Sequence, residues 1–155
     1  MKNNLRPTSS LVRDAVFNML GNISDKLFLD LFCGTGQMGI TAERKGAKVV
    51  YVDIKDRNIR NLKGKVRGRL VRKDALRFLK NWEGKFDIIY ADPPYNYKHY
   101  EKLIDLSLSK LKEGGVFILE HDKRRRFNAY KERRYGDTVL SIWVKDEECS
   151  VSGNI

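Results

Sequence analysis

Cysteine is nearly missing from this chain: Cys33 and Cys149 are the only two in 155 residues. Two thiols cannot build a disulfide framework or a four-ligand zinc site, so a packed core must carry the fold, and a reducing, cytoplasmic setting is the simplest expectation. Proline is as sparse, and Pro7, Pro93 and Pro94 form no linker. No apolar run approaches the roughly 20 residues of a membrane span. Residues 1–8 have no apolar signal core, so neither a membrane nor an exported role is expected. Repeats and low-complexity stretches are missing too. What remains suits one domain, 1–155: an N-terminal element and helix (1–20), an α/β core (27–144) and a polar tail (145–155). At 41% hydrophobic residues, a chain of this size can bury a single core well.

Acids are short by comparison with bases: 20 Asp and Glu against 31 Lys and Arg, a formal charge of +11. The excess is not spread evenly. Residues 55–73 hold nine basic side chains and one acid (Asp56), and residues 123–134 hold seven and one (Glu132). These segments carry +14 between them and leave −3 for the rest of the chain. Two concentrated runs suit a polyanion, with nucleic acid first, better than a diffuse solubility coat.

Hydrophobic periodicity predicts alternating helices and strands. Ser9 and Ser10 cap a helix to about Leu20, with Leu11, Ala15 and Leu20 on one face and Val12, Val16 and Met19 on its flank. Strands are expected at 27–32, 49–52, 70–71, 86–91 and 116–119, and helices at 38–45, 56–63, 74–82 and 97–111. Near-continuous apolar strands between amphipathic helices indicate a parallel sheet covered on both faces. Two strands at 130–135 and 138–144, joined at Gly136-Asp137, close the chain as a hairpin. The expected class is doubly wound α/β, Rossmann-like: a mostly parallel seven-stranded sheet with a C-terminal β-hairpin and helices on both faces.

In such sheets ligands bind at the carboxyl ends of the strands. Here four successive ends carry acids: Asp30, Asp53, Asp74 and Asp92. Helix capping would explain Asp74 alone but not the whole set. The first loop, Gly34-Thr-Gly36-Gln-Met-Gly39, matches the G-x-G-x-x-G spacing of dinucleotide sites. Asp30, four residues earlier, opposes a pyrophosphate and favours a cation. S-adenosylmethionine, with an ammonium and a sulfonium, therefore suits the loop better than a nicotinamide dinucleotide, and Asp53 suits its ribose. Asp92-Pro93-Pro94-Tyr95 follows the most apolar strand. Its prolines stiffen the loop, so the Asp92 carboxylate and the Pro93 carbonyl can act as two acceptors for an exocyclic amine. Tyr95 offers a ring for base stacking. No metal-ligand spacing is present.

These residues resemble a known family. Leu29-Asp-Leu-Phe-Cys-Gly-Thr-Gly36 and Asp92-Pro-Pro-Tyr95 are similar to the motifs of class I, S-adenosylmethionine-dependent amino-methyltransferases. Arg6-Pro-Thr8, Val12-Arg-Asp-Ala-Val-Phe-Asn18, Gly114-Gly-Val-Phe-Ile-Leu-Glu120 and Tyr135-Gly-Asp-Thr138 resemble the RsmD-type family, which methylates guanine N2 in small-subunit (16S) ribosomal RNA. The resemblance implies a donor site of Asp30, Cys33, Gly34, Thr35, Gly36, Asp53, Ile54, Asp74, Ala75 and Asp92. It implies a catalytic loop of Asp92, Pro93, Pro94 and Tyr95. Arg6, Arg13, Lys123, Arg124, Arg125 and Arg126 are the candidate RNA contacts. Ribosomal RNA, or an assembling small subunit, is the implied partner, no metal is required, and a monomer is the default. Family members usually carry a basic β-hairpin ahead of the Arg-Pro-Thr element; here Met1 to Leu5 stand there, and the two basic segments are expected to take over part of the grip. Two rival readings remain open on the residues alone: an adenine-N6 methyltransferase, and a non-catalytic RNA-binding assembly protein.

Overall fold

The computed structural model describes residues 9–146. Along the chain run α1 (Ser10–Leu20), β1 (Leu27–Leu31), α2 (Gln37–Arg44), β2 (Lys48–Asp53), α3 (Asp56–Leu62), β3 (Arg69–Arg72), α4 (Ala75–Asn81), β4 (Phe86–Ala91), α5 (Tyr100–Ser109), β5 (Leu111–Asp122), β6 (Lys131–Tyr135) and β7 (Thr138–Val144). One sheet of seven strands has the order β3-β2-β1-β4-β5-β7-β6. The first five are parallel, and β7 runs antiparallel between β5 and β6. The chain thus builds outward from β1 in one direction and from β4 in the other, which opens a crevice at the carboxyl ends of these two neighbours.

Period-two alternation divides the core between the faces. Phe28, Tyr51, Ile88, Tyr90 and Ile118 pack under α1, α2 and α3 through Val16, Ala42 and Leu62. Leu29, Leu31, Val52, Ile89 and Phe117 pack under α4 and α5 through Leu79 and Leu103. Trp82 stacks on Phe78 and Phe86, and Trp143 on Phe117. Both tryptophans therefore serve packing. No helix among the described residues is long and apolar enough to cross a membrane.

Several expected boundaries and faces shift. The inward line of α1 runs through Val12, Val16 and Phe17, while Leu11 is 63% exposed. A helix face is set by where the helix docks, and docking here favours the line one residue further on. The helix expected from Tyr97 begins at Tyr100, because the Tyr97 N–H donates to the Pro94 carbonyl (2.9 Å) and closes a turn first. Leu111, expected to end that helix, belongs to β5, which also takes in Gly114-Gly115 ahead of the strand expected at 116–119. Pairing with β4 jumps there from Phe86–Leu111 to Ile88–Val116. In α5 the buried line is Tyr100, Leu103 and Ser107. The Arg-Pro-Thr element with Arg6, and the tail with Cys149, lie outside the described residues.

Candidate active site

The glycine loop is built by its own acids. Asp30 shares the sheet face of Phe28 and is only 2% exposed. Its Oδ2 accepts from the Gly39 N–H (3.0 Å) in the first turn of α2. Burial is the main reason its carboxyl is pushed up to about 8; the Gly39 bond lowers it in part and the nearby Asp53 charge raises it further. Asp53, at the end of β2, accepts from the Gly34 N–H (2.8 Å) and from the Lys55 N–H (2.9 Å). One carboxylate thus ties the β1 loop to the β2 loop. Cys33 extends the strand pairing with a bond from its N–H to the Val52 carbonyl (3.0 Å). Burial, reinforced by Asp30 and Asp53, holds its thiol well above the usual range, so it stays protonated.

Glycine is required at two positions of this loop. Gly36 sits at φ +77°, in the left-handed region that side chains avoid. A Cβ on Gly39 would lie 2.3 Å from the Tyr51 ring, so this glycine lets α2 approach β2. The loop's spacing therefore has a steric origin. Glu43, also on α2, accepts from the Tyr51 hydroxyl (2.9 Å) and from the Gly68 N–H (2.7 Å), which fixes the entry to β3.

Sheet register brings the second motif beside the first. Leu31 pairs with Ala91, so the segment Phe32–Gly36 and the segment Asp92–Tyr95 leave adjacent strands at the same level. Pro93 is buried, Asp92 half-buried and Tyr95 72% exposed. Phe32 adopts φ +57°, uncommon for a bulky residue, and its ring meets Tyr97 edge-on at 5.2 Å between centroids. Asp74 caps α4, with its side chain accepting from the Arg77 N–H (3.1 Å), and Ala75 is buried behind it. Ile54 follows Asp53 and is an exposed apolar side chain at a strand end.

The second basic segment arrives at the same crevice from the end of β5. Asp122 accepts from the Arg124 N–H (2.7 Å) and from its Nε (3.0 Å), and the Arg124 guanidinium lies over the Tyr95 ring. Arg125 lies over Tyr100 at 4.6 Å from the ring centre. Lys123 pairs with Asp137 (3.0 Å), and Arg126 lies 4.0 Å from Glu132. Arg13 is half-buried on α1. His121 is buried at 6% exposure. Its Nδ1 donates to the Asp122 carbonyl (2.9 Å), which makes the Ser141 hydroxyl the donor to Nε2 (2.7 Å). Burial lowers its pKa, so it joins β5 to β7 as a neutral ring.

Sequence reasoning missed three residues of this region. Asp122 is a fifth acid at a strand end, signalled only by the basic run after it. Phe32 gave no signal of its unusual backbone. Tyr97 has a buried hydroxyl with no hydrogen-bond partner among the described residues.

A doubly wound sheet of this strand order, loaded with acids and glycines at the ends of β1, β2 and β4, defines the class I methyltransferase fold. An RNA methyltransferase from Salinibacter ruber, in complex with S-adenosyl-L-homocysteine, shares it at a TM-score of 0.72 and 16% identity, over 92% of this chain and 95% of that one. A hypothetical protein of Thermus thermophilus superposes at a TM-score of 0.81 with 26% identity, covering 89% of this chain and 87% of that one. The ribosomal RNA small subunit methyltransferase D of Buchnera aphidicola subsp. Acyrthosiphon pisum (strain APS) is 31% identical over 139 residues, 79% of this chain and 70% of that protein. The family model described as conserved hypothetical protein 95 matches residues 1–144. The chain belongs to that family, the RsmD-type methyltransferases.

Proposed function

We propose that this protein transfers a methyl group from S-adenosylmethionine to the exocyclic N2 amine of a guanine in small-subunit ribosomal RNA. The observation that carries the reading is the register of β1 with β4, which sets the glycine loop and Asp92-Pro93-Pro94-Tyr95 side by side. A site for a methyl donor beside a site for an amine is what transfer between them needs.

The residues present fit the donor. Two buried carboxylates close together in a low dielectric favour a cation over a pyrophosphate. Asp53 keeps a free lone pair on each oxygen after accepting from Gly34 and Lys55, enough for two ribose hydroxyls. Asp30 and residues Cys33 to Gly36 would hold the methionine part. Ile54 would lie against the adenine, and Asp74 with Ala75 would meet its amine edge. When bound, the donor supplies an electrophilic methyl group on sulfur.

The chain's own residues prepare the amine. The target guanine leaves its stack and lies on Tyr95. The Asp92 carboxylate and the Pro93 carbonyl accept its two N2–H bonds. Holding both hydrogens out of the ring plane returns the lone pair to nitrogen, and the stiff Pro93-Pro94 loop needs no reorganisation to do so. Lys123 to Arg126, with Arg6 and Arg13, would hold phosphates. The partner is ribosomal RNA, free or in an assembling small subunit, and the chain acts as a monomer. Transfer of a labelled methyl group to small-subunit RNA lacking its modifications, followed by mapping of the product, tests the reading. N2-methylguanine is expected; N6-methyladenine would replace the target, and no transfer would overturn the assignment.

A further inference from the structure

The first basic segment, residues 55–73, is not used by the site above. It contains α3, and α3 borders a cleft of about 460 Å³ that the glycine loop closes on one side with Gly34 and Thr35. Thr35, Gln37, Asn58, Asn61 and Lys65 line it, over an apolar floor of Ile40 and Leu62. None of Asp30, Asp53, Asp74 or Asp92 does. Its charge is therefore opposite in sign to that of the donor crevice, and it suits an anion where the crevice suits a cation. Lys65 lines the cleft; Lys55, Arg57 and Lys63 of the same segment are exposed, while Arg60 is paired with Asp56 at 2.7 Å.

Asn58 is the informative residue. It is only 4% exposed, and its carboxamide is not among the fully buried side-chain groups without a partner, so what remains accessible of it is open to the cleft. Asn58 and Asn61 both line the cleft, which places two carboxamides on one concave surface. Carboxamides match the paired donor and acceptor edges of bases. An apolar floor suits a base face, and a lysine at the rim suits a phosphate. The volume is in the usual range of about 300–1,000 Å³ for small-molecule sites.

We infer that this cleft binds one unpaired nucleotide of the RNA, distinct from the target guanine, with its base edge on Asn58 and Asn61 and its phosphate on Lys65. The inference rests on the reading that the chain acts on RNA. It gives the first basic segment a role: α3 holds the strand on one side of the glycine loop while Lys123 to Arg126 hold it on the other.

The test uses the full chain, unmodified small-subunit RNA carrying 4-thiouridine, and S-adenosylhomocysteine. Asn58→Ala removes the buried amide. Asn61→Ala with Lys65→Ala alters only exposed side chains, so folding is not at issue. RNA affinity should fall about tenfold or more in each. Lys65→Ala should lower the salt slope of binding by about one. Crosslinks should map to residues 58–65, and affinity for S-adenosylhomocysteine should not change. RNA affinity equal to wild type in both variants overturns the inference. So does a loss of S-adenosylhomocysteine affinity with RNA binding intact, which would make the cleft an annex of the donor site. A wild-type chain that binds no RNA overturns the parent reading as well, an outcome distinct from either.

Discussion

The guanidinium of Arg124 lies 5.6 Å from the centre of the Tyr95 ring, and Asp122 holds it there through a charge-assisted bond to Nε (3.0 Å). The ring is 72% exposed, so one face is backed by a cation while a base can use the other. Tyr95→Ala should weaken RNA binding by about 1–3 kcal/mol. Combining it with Arg124→Ala should give less than the sum of the two, because the residues share one contact. Asp122→Asn offers a sharper sign test. Removing an acid beside a polyanion ordinarily strengthens binding, whereas here it should weaken it by freeing Arg124 to leave the ring. Tighter RNA binding by Asp122→Asn would show that the pairing has no part in recognition.

Asp92→Ala should abolish methyl transfer and leave RNA affinity within about twofold of wild type, since its carboxylate acts on the amine and not on the phosphates. Single-turnover rates beside filter-binding affinities separate the two effects. Asp92→Asn should recover part of the rate lost in Asp92→Ala, because the carboxamide oxygen still accepts one N–H while the negative charge is gone. Full turnover by Asp92→Ala would remove Asp92 from the mechanism.

How much of this was legible in the residues depended on how local each feature is. The runs at Phe86–Ala91 and Val49–Val52 read as strands because buried parallel strands are apolar throughout. The glycine loop and the Asp-Pro-Pro-Tyr loop read as sites because their chemistry sits within a few consecutive positions. The contact of Arg124 with Tyr95 joins residues 29 positions apart and exists only because β5 pairs with β4. No local pattern signals it, although each partner stands out alone. The same holds for α1, whose sequence permits either a Leu11 or a Val12 face until the helix docks. Asn58 reads as one more polar residue in a basic helix. Its burial follows from the packing of α3 against β2 and β3, which spacing alone does not reveal.

Asp30 makes stability depend on pH in an unusual direction. Its carboxyl is raised from 3.8 to about 8, chiefly by burial. The folded protein therefore binds this proton more tightly than the unfolded chain does. Its contribution is fully present below about pH 4 and is lost as the pH rises through about 8. The donor-free protein should lose stability between pH 5 and pH 8 relative to Asp30→Asn. The asparagine keeps an acceptor for the Gly39 N–H and carries no charge. Melting temperatures of both proteins across that range provide the comparison. Parallel curves would mean that Asp30 is ionised throughout.

Tyr97 should be improved by losing an atom. Its hydroxyl is buried without a hydrogen-bond partner among the described residues, while its ring is held edge-on by Phe32 and Tyr100. Burial, then the charge of Asp74, pushes the phenol up to about 12, so it remains neutral at any working pH. An unsatisfied buried polar group costs about 1–3 kcal/mol. Tyr97→Phe keeps every ring contact and removes that cost. The melting temperature of the donor-free protein should rise by about 2–4 °C for each kcal/mol gained. The hydroxyl lies within reach of the Asp74 charge, beside the proposed adenine site, so the same variant gives a second measurement. A stabilised protein with unchanged affinity for S-adenosylhomocysteine makes the hydroxyl a pure packing cost. A stabilised protein that binds the ligand more weakly makes it a donor contact that the fold holds ready at the expense of stability. A melting temperature at or below wild type would show that the hydroxyl is satisfied in solution, and would overturn both.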